Sequence, residues 1–534
     1  MSPRSSVMDS TEPPAPVRNA KLNLAESGRW VWTQLTSMRT ALILLLLLAI
    51  AAIPGSLLPQ RAADPNGVTQ YFSANPDLAP VLDKFQLFDV YTSAWFSAIY
   101  LLLFVSLIGC VIPRTKHHWD ALRQQPPRTP SRLDRLPGFT EREFSGVAPE
   151  AALSAADRVL RAARYRVVRY ERDGVLSVSA ERGYLRETGN LIFHFALVGV
   201  LITVGLGGGF AYNGQRVIVE GQAFSNTLIA YDSFSPGRFF SDSALQPFNI
   251  TLNSFTTRYE ERNANAIGQP IDYTADVTTT LRGGDPTPAV IKVNQPLNIG
   301  GTSVYLLGNG YAPVITVRNA AGQVIFNDAV AFLPQDKNFT SVGIIKLPDG
   351  LPTQLGLVGF FYPTVSTGHS GASFSMYPDL LDPMVTLNVY QGDLGINEGL
   401  PKSVYALDTS GMTKLTGTKT DLPSLEMKPG ETAALPNGMG SVTFDSVKKY
   451  VSLDVHHDPA QGWVLGFAIM AMLGLFTSLL IPRRRMWVSI QPVEKTKKLL
   501  VEYAALARGD DPTLEAAVGH IVDAHIRDLG LTRD

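Results

Sequence analysis

Four long apolar segments constrain this chain more than any other feature of its sequence. They run from Thr40 to Leu58, Trp95 to Pro113, Leu191 to Tyr212 and Trp463 to Pro482. Each is long enough to cross the hydrocarbon core of a bilayer as a helix. All six tryptophans lie beside such segments, as amphipathic rings do when they anchor helix ends at a membrane surface. The sequence therefore predicts an integral membrane protein with four transmembrane helices.

The distribution of basic residues predicts the orientation of these helices. Residues 114–186 contain 15 Lys and Arg in 73 positions, whereas residues 213–461 contain 15 in 249. Because short cytoplasmic loops carry the excess of positive charge, the first stretch is expected in the cytoplasm and the second outside. Arg39 before the first span and Arg483–Arg485 after the fourth place both termini in the cytoplasm. We expect a multi-pass protein of the plasma membrane.

The spans divide the chain into alternating membrane and soluble segments. The predicted order is a cytoplasmic tail (1–39), transmembrane helix 1 (40–58), an external loop (59–94), transmembrane helix 2 (95–113), a cytoplasmic α+β module (114–188), transmembrane helix 3 (189–212), a large external all-β domain (213–461), transmembrane helix 4 (462–482) and a cytoplasmic C-terminal segment (483–534).

Local patterns predict the structure of the soluble segments. In the α+β module we expect a strand at 141–145, a helix at 149–164 and a hairpin that turns at Asp173-Gly174. Alternating apolar residues in AVIKVNQPL and PVITVRNAAGQVIFNDAV indicate a β-sandwich or barrel-like external domain. After the fourth span, WVSIQPVEKTKKLLVEYAAL predicts a strand followed by an amphipathic helix, and GHIVDAHIRDLG a further helix. His520 and His525 are then expected at the surface.

His194 is the ionisable residue inside the third apolar segment. It lies about 12 Å of helix beyond Arg186, and therefore within the hydrocarbon layer. An imidazole that faced lipid would leave its nitrogens unpaired, so the side chain must face protein, water or a ligand. Two interpretations remain open at this point: a functional residue, or a packing histidine that is hydrogen-bonded to a neighbouring helix.

Two adjacent histidines, His456 and His457, precede the fourth span in VSLDVHHDPAQGW. Asp458-Pro459 is expected to end the preceding strand and to lead the chain into the helix. The histidines would then lie at the outer membrane surface. They are either solvated boundary residues or ligands to a metal or haem iron, which neutral imidazole suits.

Motifs of several other functions are absent from the sequence. The single cysteine, Cys110, excludes an intrachain disulfide and CxxC chemistry. No basic run with interleaved aromatic residues indicates nucleic-acid binding. The sequence has no HExxH or Walker A motif, and GHSGA at 368–372 lacks the spacing of a nucleophile elbow, so His369 is expected to be a loop residue.

Four stretches resemble, in order, the ResB-like family of cytochrome c biogenesis proteins. They are SMRTALILLLLLAIAAIPGSLLPQ, LFDVYTSAWFSAIYLLLFVSLIGCVIPR, ERGYLRETGNLIFHFALVG and HHDPAQGWVLGFAIMAMLGLFTSLLIPRRRMWV. The family's histidine in the third span falls on His194, and its histidine before the fourth span falls best on His457, with His456 beside it. Ala460 stands where a glycine is expected.

The resemblance implies a subunit that handles haem b transiently and lacks a catalytic motif of its own. It would act as an assembly factor, or as part of a haem-attaching complex, together with a polytopic membrane partner that carries a Trp-rich haem-binding loop. Apocytochrome c would receive the haem, and thiol-reducing proteins would act indirectly. Under this interpretation the C-terminal segment after Met486 is expected to be dispensable for haem binding. The alternative is a transmembrane sensor or binding protein whose external β-domain binds a ligand.

Overall fold

The computed structural model of the chain describes residues 23–368, 371–396, 406–493 and 498–531. Residues 1–22 of the predicted tail, and His369, lie outside the described residues. The chain divides into two compact units. Unit 1 comprises Met1–Gln60, Gly67–Thr203 and Gly462–Asp534, and unit 2 comprises Arg61–Asn66 and Val204–Gln461.

The helices include four that are long and apolar enough to cross a membrane, α2, α5, α7 and α8, as the sequence predicts. The α-helices are α1 (Leu24–Leu35), α2 (Met38–Leu57), α3 (Pro65–Ala74), α4 (Ala79–Lys84), α5 (Ala94–Arg123), α6 (Pro149–Ala162), α7 (Leu185–Phe210), α8 (Gln461–Leu480) and α9 (Leu514–Asp528). Large apolar side chains remain exposed along the four long helices, as expected for surfaces that face lipid.

The second long helix differs from its predicted length. We predicted an end at Pro113, but α5 continues through this proline to Arg123. The added turns are polar and basic, so they extend the helix beyond its apolar part rather than lengthen the apolar part itself. This extension carries His117 and His118.

The strands lie between the long helices and after the last of them. They are β1 (Thr140–Ser145), β2 (Arg166–Arg172), β3 (Val175–Arg182), β4 (Tyr212–Val219), β5 (Ala223–Ser225), β6 (Ser233–Pro236), β7 (Phe248–Tyr259), β8 (Pro270–Leu281), β9 (Thr287–Lys292), β10 (Leu297–Ile299), β11 (Thr302–Asn319), β12 (Val324–Ala329), β13 (Leu333–Pro334), β14 (Ser341–Leu347), β15 (Leu355–Tyr362), β16 (Val365–Thr367), β17 (Ser373–Ser375), β18 (Met384–Gln391), β19 (Thr413–Lys414), β20 (Leu425–Met427), β21 (Thr432–Ala434), β22 (Gly440–His457), β23 (Arg484–Val493) and β24 (Lys498–Ala507).

Unit 1 contains an α+β domain. Its strands form one five-stranded sheet in the order β1-β24-β23-β3-β2, and α6 and α9 contribute to its core. The predicted strand, helix and hairpin are present as β1, α6 and β2–β3. Asp173 and Gly174 both have positive φ, as a two-residue hairpin turn requires.

The C-terminal segment forms part of the α+β domain, and its secondary structure differs from the prediction. The sequence predicted a strand followed by an amphipathic helix, but β23 and β24 form a second hairpin at the centre of this sheet. The alternating apolar residues of KLLVEYAAL pack into the core of the α+β domain, where β24 pairs with β1.

His525 is also not the surface residue that the sequence predicted. Its side chain is completely buried, and its ring nitrogens contact the Tyr503 hydroxyl at 2.6 Å and the Ala152 carbonyl at 2.9 Å. The carbonyl can only accept, so Nε2 donates to Ala152 and Nδ1 accepts from Tyr503. His520, on the same helix, is exposed as predicted.

Unit 2 is rich in β-structure, and its long strands are shared by two cores. The sheet β10-β11-β22-β4-β6 contains β11 and β22, each 18 residues long and paired over most of their length. One part of this sheet packs against β5-β7-β8-β9, and another part packs against the sheet that contains β14, β15 and β18. The sequence predicted a sandwich or barrel-like arrangement, and the structure has packing of one sheet against another in two places.

Candidate functional site

The His194 imidazole is oriented by its own helix. Its Nδ1 lies 2.7 Å from the Asn190 carbonyl oxygen, one turn earlier on α7. The carbonyl can only accept, so Nδ1 carries a proton and Nε2 of the neutral ring bears a lone pair. Nε2 makes no hydrogen bond within the described ranges. Among the described residues, the hydrogen bond of the ring is therefore to its own helix and not to a neighbouring one.

Small residues allow α8 to approach α7 closely beside His194. A Cβ on Gly474 would lie 2.6 Å from the Phe193 backbone nitrogen and 2.8 Å from the Gly189 oxygen. A Cβ on Gly199 would lie 2.4 Å from the Phe467 ring. Such close approach is typical of helix contacts in membranes, and here it fixes the part of α7 that carries His194.

A cavity of about 830 Å³ opens beside His194 within unit 1. Residues of α5, α7 and β3, the start of β23, the end of β24 and the chain just after it line this cavity. Its ionisable lining residues are Arg114, His117, His118, Glu181, Glu187, His194, Arg483, Arg485 and Arg508. A pocket of this volume is within the range of small-molecule and cofactor sites.

An ion-pair network is buried in the wall of this cavity. Arg483 donates to Glu181 Oε1 from Nε and Nη2, at 3.0 and 2.8 Å, and to Glu187 from Nη1. Burial alone would raise the pKa of Glu181, but hydrogen bonds from Arg483 and Tyr184 and the charges of Arg483 and Arg485 hold it below its ordinary value. The network joins the start of α7 to the chain between α8 and β23.

His117 and His118, which were not among the predicted site residues, line the same cavity. His118 is buried, and its Nε2 lies 3.0 Å from the Thr188 hydroxyl. Its Nδ1 lies 3.5 Å from Glu187 Oε2 but makes no hydrogen bond to the part of the chain that the structure describes. The adjacent pair directly after an apolar span was the available signal, and it was missed because α5 was expected to end at Pro113.

His457 is held at the end of β22 in unit 2. Its Nδ1 donates to the Gly301 carbonyl at 2.8 Å, and its ring stacks on that of Tyr212. Gly300 and Gly301 both have positive φ and form the two-residue turn between β10 and β11, which presents that carbonyl. As with His194, no described residue is hydrogen-bonded to Nε2.

His456 faces the other side of the same sheet. Successive residues of a strand point to opposite faces, so His456 shares its face with Asp454 and, across the strand pair, with Asn213. Burial raises the pKa of Asp454, and a hydrogen bond from Asn213 and the charge of His456 oppose that rise. His456 and His457 therefore do not point into one common site.

The turn after His457 leads directly into α8. The Asp458 side chain accepts a hydrogen bond from the Ala460 nitrogen at 2.8 Å, and α8 begins at Gln461. The predicted boundary at Asp458-Pro459 is therefore confirmed. Ala460 is buried against Gly207, where an added Cβ on the glycine would lie only 2.2 Å from the Ala460 Cβ.

Within the described ranges, no three His, Cys, Asp or Glu side chains are grouped closely enough to hold a metal ion by themselves. His194 and His457 each present one imidazole. Either could supply one axial ligand to haem iron, but not a complete protein metal site.

Comparison with known proteins finds a family match over most of the chain and relatives over about half of it. Residues 38–518 match the ResB-like family. Proteins named cytochrome c biogenesis protein CcsB from Synechococcus sp. strains WH7803 and CC9311 are 28% and 29% identical to the chain, each over 52% of this chain and 59% of the relative. The corresponding protein of Thermosynechococcus vestitus is 25% identical over 54% of this chain and 61% of its own length. The matches thus span about three-fifths of the length of these curated relatives.

Proposed function

The chain belongs to the ResB-like family, and from this premise we propose that it handles haem during cytochrome c maturation, as an assembly factor of a membrane complex. It would hold haem b transiently, help to bring it across the plasma membrane, and present it outside for covalent attachment to apocytochrome c. The names of its relatives, cytochrome c biogenesis proteins, support this role.

The observation that carries the proposal is the shared arrangement of His194 and His457. In each ring Nδ1 donates to a backbone carbonyl, at 2.7 and 2.8 Å, and Nε2 is left with its lone pair. Histidines that ligate metals commonly have their second nitrogen fixed in this way, because the hydrogen bond selects the tautomer and orients the ring. Both imidazoles therefore fit an axial position of haem iron, one in each unit.

His194 also has a surrounding that suits haem. It lies on the apolar helix α7, beside a cavity of about 830 Å³ whose lining includes four arginines. An iron porphyrin needs an apolar surface for its ring and charged groups for its carboxylates. His117 and His118 also line this cavity, and His118 contacts the Thr188 hydroxyl through Nε2. We propose that the second axial ligand comes from the polytopic partner with the Trp-rich loop.

The proposed orientation agrees with the pairing of strands in unit 1. β3 precedes α7 and β23 follows α8, yet β3 and β23 pair in one sheet. Two segments on the same side of a membrane must be separated by an even number of crossings, and α7 and α8 supply two. We propose that this α+β domain and both termini lie in the cytoplasm and that residues 213–461 lie outside.

The chemistry of attachment requires other proteins. Haem attachment consumes two thiols of an apocytochrome CxxCH motif, and the chain has a single cysteine, Cys110, inside the apolar part of α5. Reduced apocytochrome would therefore come from separate thiol-reducing proteins. The chain would hold haem, and other proteins would supply the groups that form the bonds to it.

The test compares His194→Ala and His457→Ala in cells that make c-type cytochromes. We expect both variants to abolish maturation but to differ in the haem that co-purifies with the complex. His194→Ala should lose most of the haem absorbance, whereas His457→Ala should retain the haem at His194 while delivery outside stops. Added imidazole should partly restore function where the lost side chain was an axial ligand.

Two other histidines serve as controls: His520, which is exposed, and His456, which faces the opposite side of the sheet from His457. His520→Ala, on the surface of α9, should behave as the wild-type chain, and His456→Ala should retain maturation if His457 is the ligand. Wild-type haem content together with normal cytochrome production in both His194→Ala and His457→Ala would refute the proposal. A chain that never carries haem absorbance would favour the sensor or ligand-binding alternative instead.

A further inference from the structure

The cavity beside His194 has more positive than negative charge. Its charged lining residues are Arg114, Glu181, Glu187, Arg483, Arg485 and Arg508. Four arginines therefore face two glutamates, and two positive charges remain without a carboxylate of the chain to balance them. A cavity with this excess, partly removed from water, favours a ligand that brings two negative charges.

Arg483 is not one of the side chains that are free to bind such a ligand. All three of its side-chain nitrogens donate to Glu181 or Glu187, and the residue is 8% exposed. It serves to hold the two glutamates in the wall. Arg508 is also occupied by Glu187 and is largely exposed to solvent.

Arg114 and Arg485 retain donors that point to no carboxylate. Arg114 of α5 makes its hydrogen bond from Nη2 to the Met38 sulfur, a weak acceptor. Arg485 donates to Glu181 from Nε at 3.0 Å, and among the described residues its two terminal nitrogens have no hydrogen-bond partner. Each guanidinium therefore keeps donors in the planar geometry that matches a carboxylate.

The charged and apolar parts of the cavity are separated along α7. Glu187, which contacts Arg483 and Arg508, lies seven residues before His194, or about 10 Å of helix. Leu191 and His194 lie further along the same helix, toward its apolar part. A flat ligand with an apolar ring and a carboxylate-bearing edge would match this separation.

We propose that Arg114 and Arg485 bind the two propionate carboxylates of the haem whose iron His194 ligates, an inference that rests on the proposed function. The propionates balance the net excess of two positive charges in the cavity lining, and the ring extends from them along α7 toward His194. Two of the elements that hold the haem, α5 and β23, are thereby joined by the ligand itself. The C-terminal segment, through Arg485, would form part of the haem site.

The experiment compares haem with haem dimethyl ester, which has the same iron and ring but no charged carboxylates. The full-length chain is purified in detergent from cells that also produce its membrane partner, freed of bound haem, and titrated with each compound while the absorbance is recorded. We expect the wild-type chain to bind haem at least tenfold more tightly than the ester. Arg114→Gln and Arg485→Gln should each weaken haem binding about tenfold and leave binding of the ester unchanged.

Arg123→Gln is the matched control, because Arg123 lies on the same helix as Arg114, outside the cavity and against the Trp119 ring. It should change neither titration. Equal binding of haem and ester by the wild-type chain, or an equal loss of both in Arg114→Gln, would overturn the propionate assignment and leave the proposed function standing. If the wild-type chain binds neither compound, the proposed function itself fails.

Discussion

The His457 imidazole stacks on the ring of Tyr212, with centroids 5.2 Å apart and ring planes 19° apart. The two residues are also directly opposite each other on β22 and β4. Tyr212 is 1% exposed and packs against Phe234 and Phe240, so it forms a rigid wall behind the histidine. The stack and the hydrogen bond to Gly301 together fix the direction in which Nε2 points.

Tyr212→Leu should therefore weaken the step at His457 specifically. Loss of an aromatic contact costs about 0.5–1.5 kcal/mol, which corresponds to roughly a two- to tenfold loss of cytochrome c production. Tyr212→Phe keeps the stack but removes the hydroxyl that contacts Thr302 at 3.1 Å, and should remain close to wild type. The measurement is haem-stained c-type cytochrome per cell. An equal loss in both variants would assign the effect to the hydroxyl and not to the stack.

Gly474→Ala should disturb the site at His194 through the contact of α7 with α8. Its Cβ would meet backbone atoms of Phe193 and Gly189, and overpacking of this kind costs about 1–3 kcal/mol. We expect a lower ratio of haem to protein in the purified chain. Gly466→Ala, on the same helix but with open space around it, is the control. The helix contact does not position His194 if both variants retain the same haem content.

Truncation after Met486 should unfold the α+β domain. The deletion removes β24, most of β23 and α9, and so takes away most of the central strand of the sheet, the strand beside it and a large part of the core. We therefore expect low accumulation of the protein and loss of bound haem, in contrast to the expectation from the sequence that this segment is dispensable. Truncation after Leu531 keeps α9 and serves as the control. Normal haem content in the shorter chain would contradict the prediction.

The α+β domain should lose stability in mild acid because of His525. Burial lowers the pKa of His525 below its ordinary value of 6.5, although its hydrogen bond to Ala152 and the charge of Asp528 oppose this. Well above pH 6.5 the ring is neutral in both the folded and the unfolded chain, so its burial carries no penalty from protonation. As the pH falls below 6.5, the unfolded chain takes up a proton that the folded chain resists, so unfolding is favoured.

Hydrogen exchange of peptides from β24 measures this pH dependence. Exchange, corrected for its intrinsic dependence on pH, should become faster between pH 7 and pH 5.5 in the wild-type chain. In His525→Gln, which cannot titrate, the corrected rates should be higher overall but nearly independent of pH. His520→Ala should keep the wild-type profile. A steep profile in His525→Gln would show that another group is responsible.

Proteolysis of sealed cells tests the proposed orientation. Arg262 and Arg282 lie exposed in turns of unit 2, so trypsin added outside should cleave there. Residues 114–186 should be cut only after the membrane is opened with detergent, although they are rich in arginine. Protection of unit 2 in intact cells would reverse the orientation and contradict delivery of haem to the outside.

The sequence alone determined the features that depend on near neighbours along the chain. In a bilayer, a long apolar segment can satisfy the hydrogen-bonding groups of its own backbone only as a helix. The four spans were therefore predictable from the sequence. The hairpin at Asp173-Gly174 and the strand end at Asp458-Pro459 follow equally from local turn chemistry. His194 was identifiable because the polar side chain of a single ionisable residue in an apolar helix needs a partner from protein, water or a ligand.

Only the tertiary structure decided which distant segments meet. Whether KLLVEYAAL forms a helix or a strand depends on β1, which pairs with it although 355 residues separate Glu143 from Lys498. The same pairing buries His525 and brings Arg485 and Arg508 to the cavity beside His194. The spacing of apolar residues along a short stretch is compatible with either a helix or a strand. The contacts that decide between the two come from residues far away in the sequence, which no local pattern can identify.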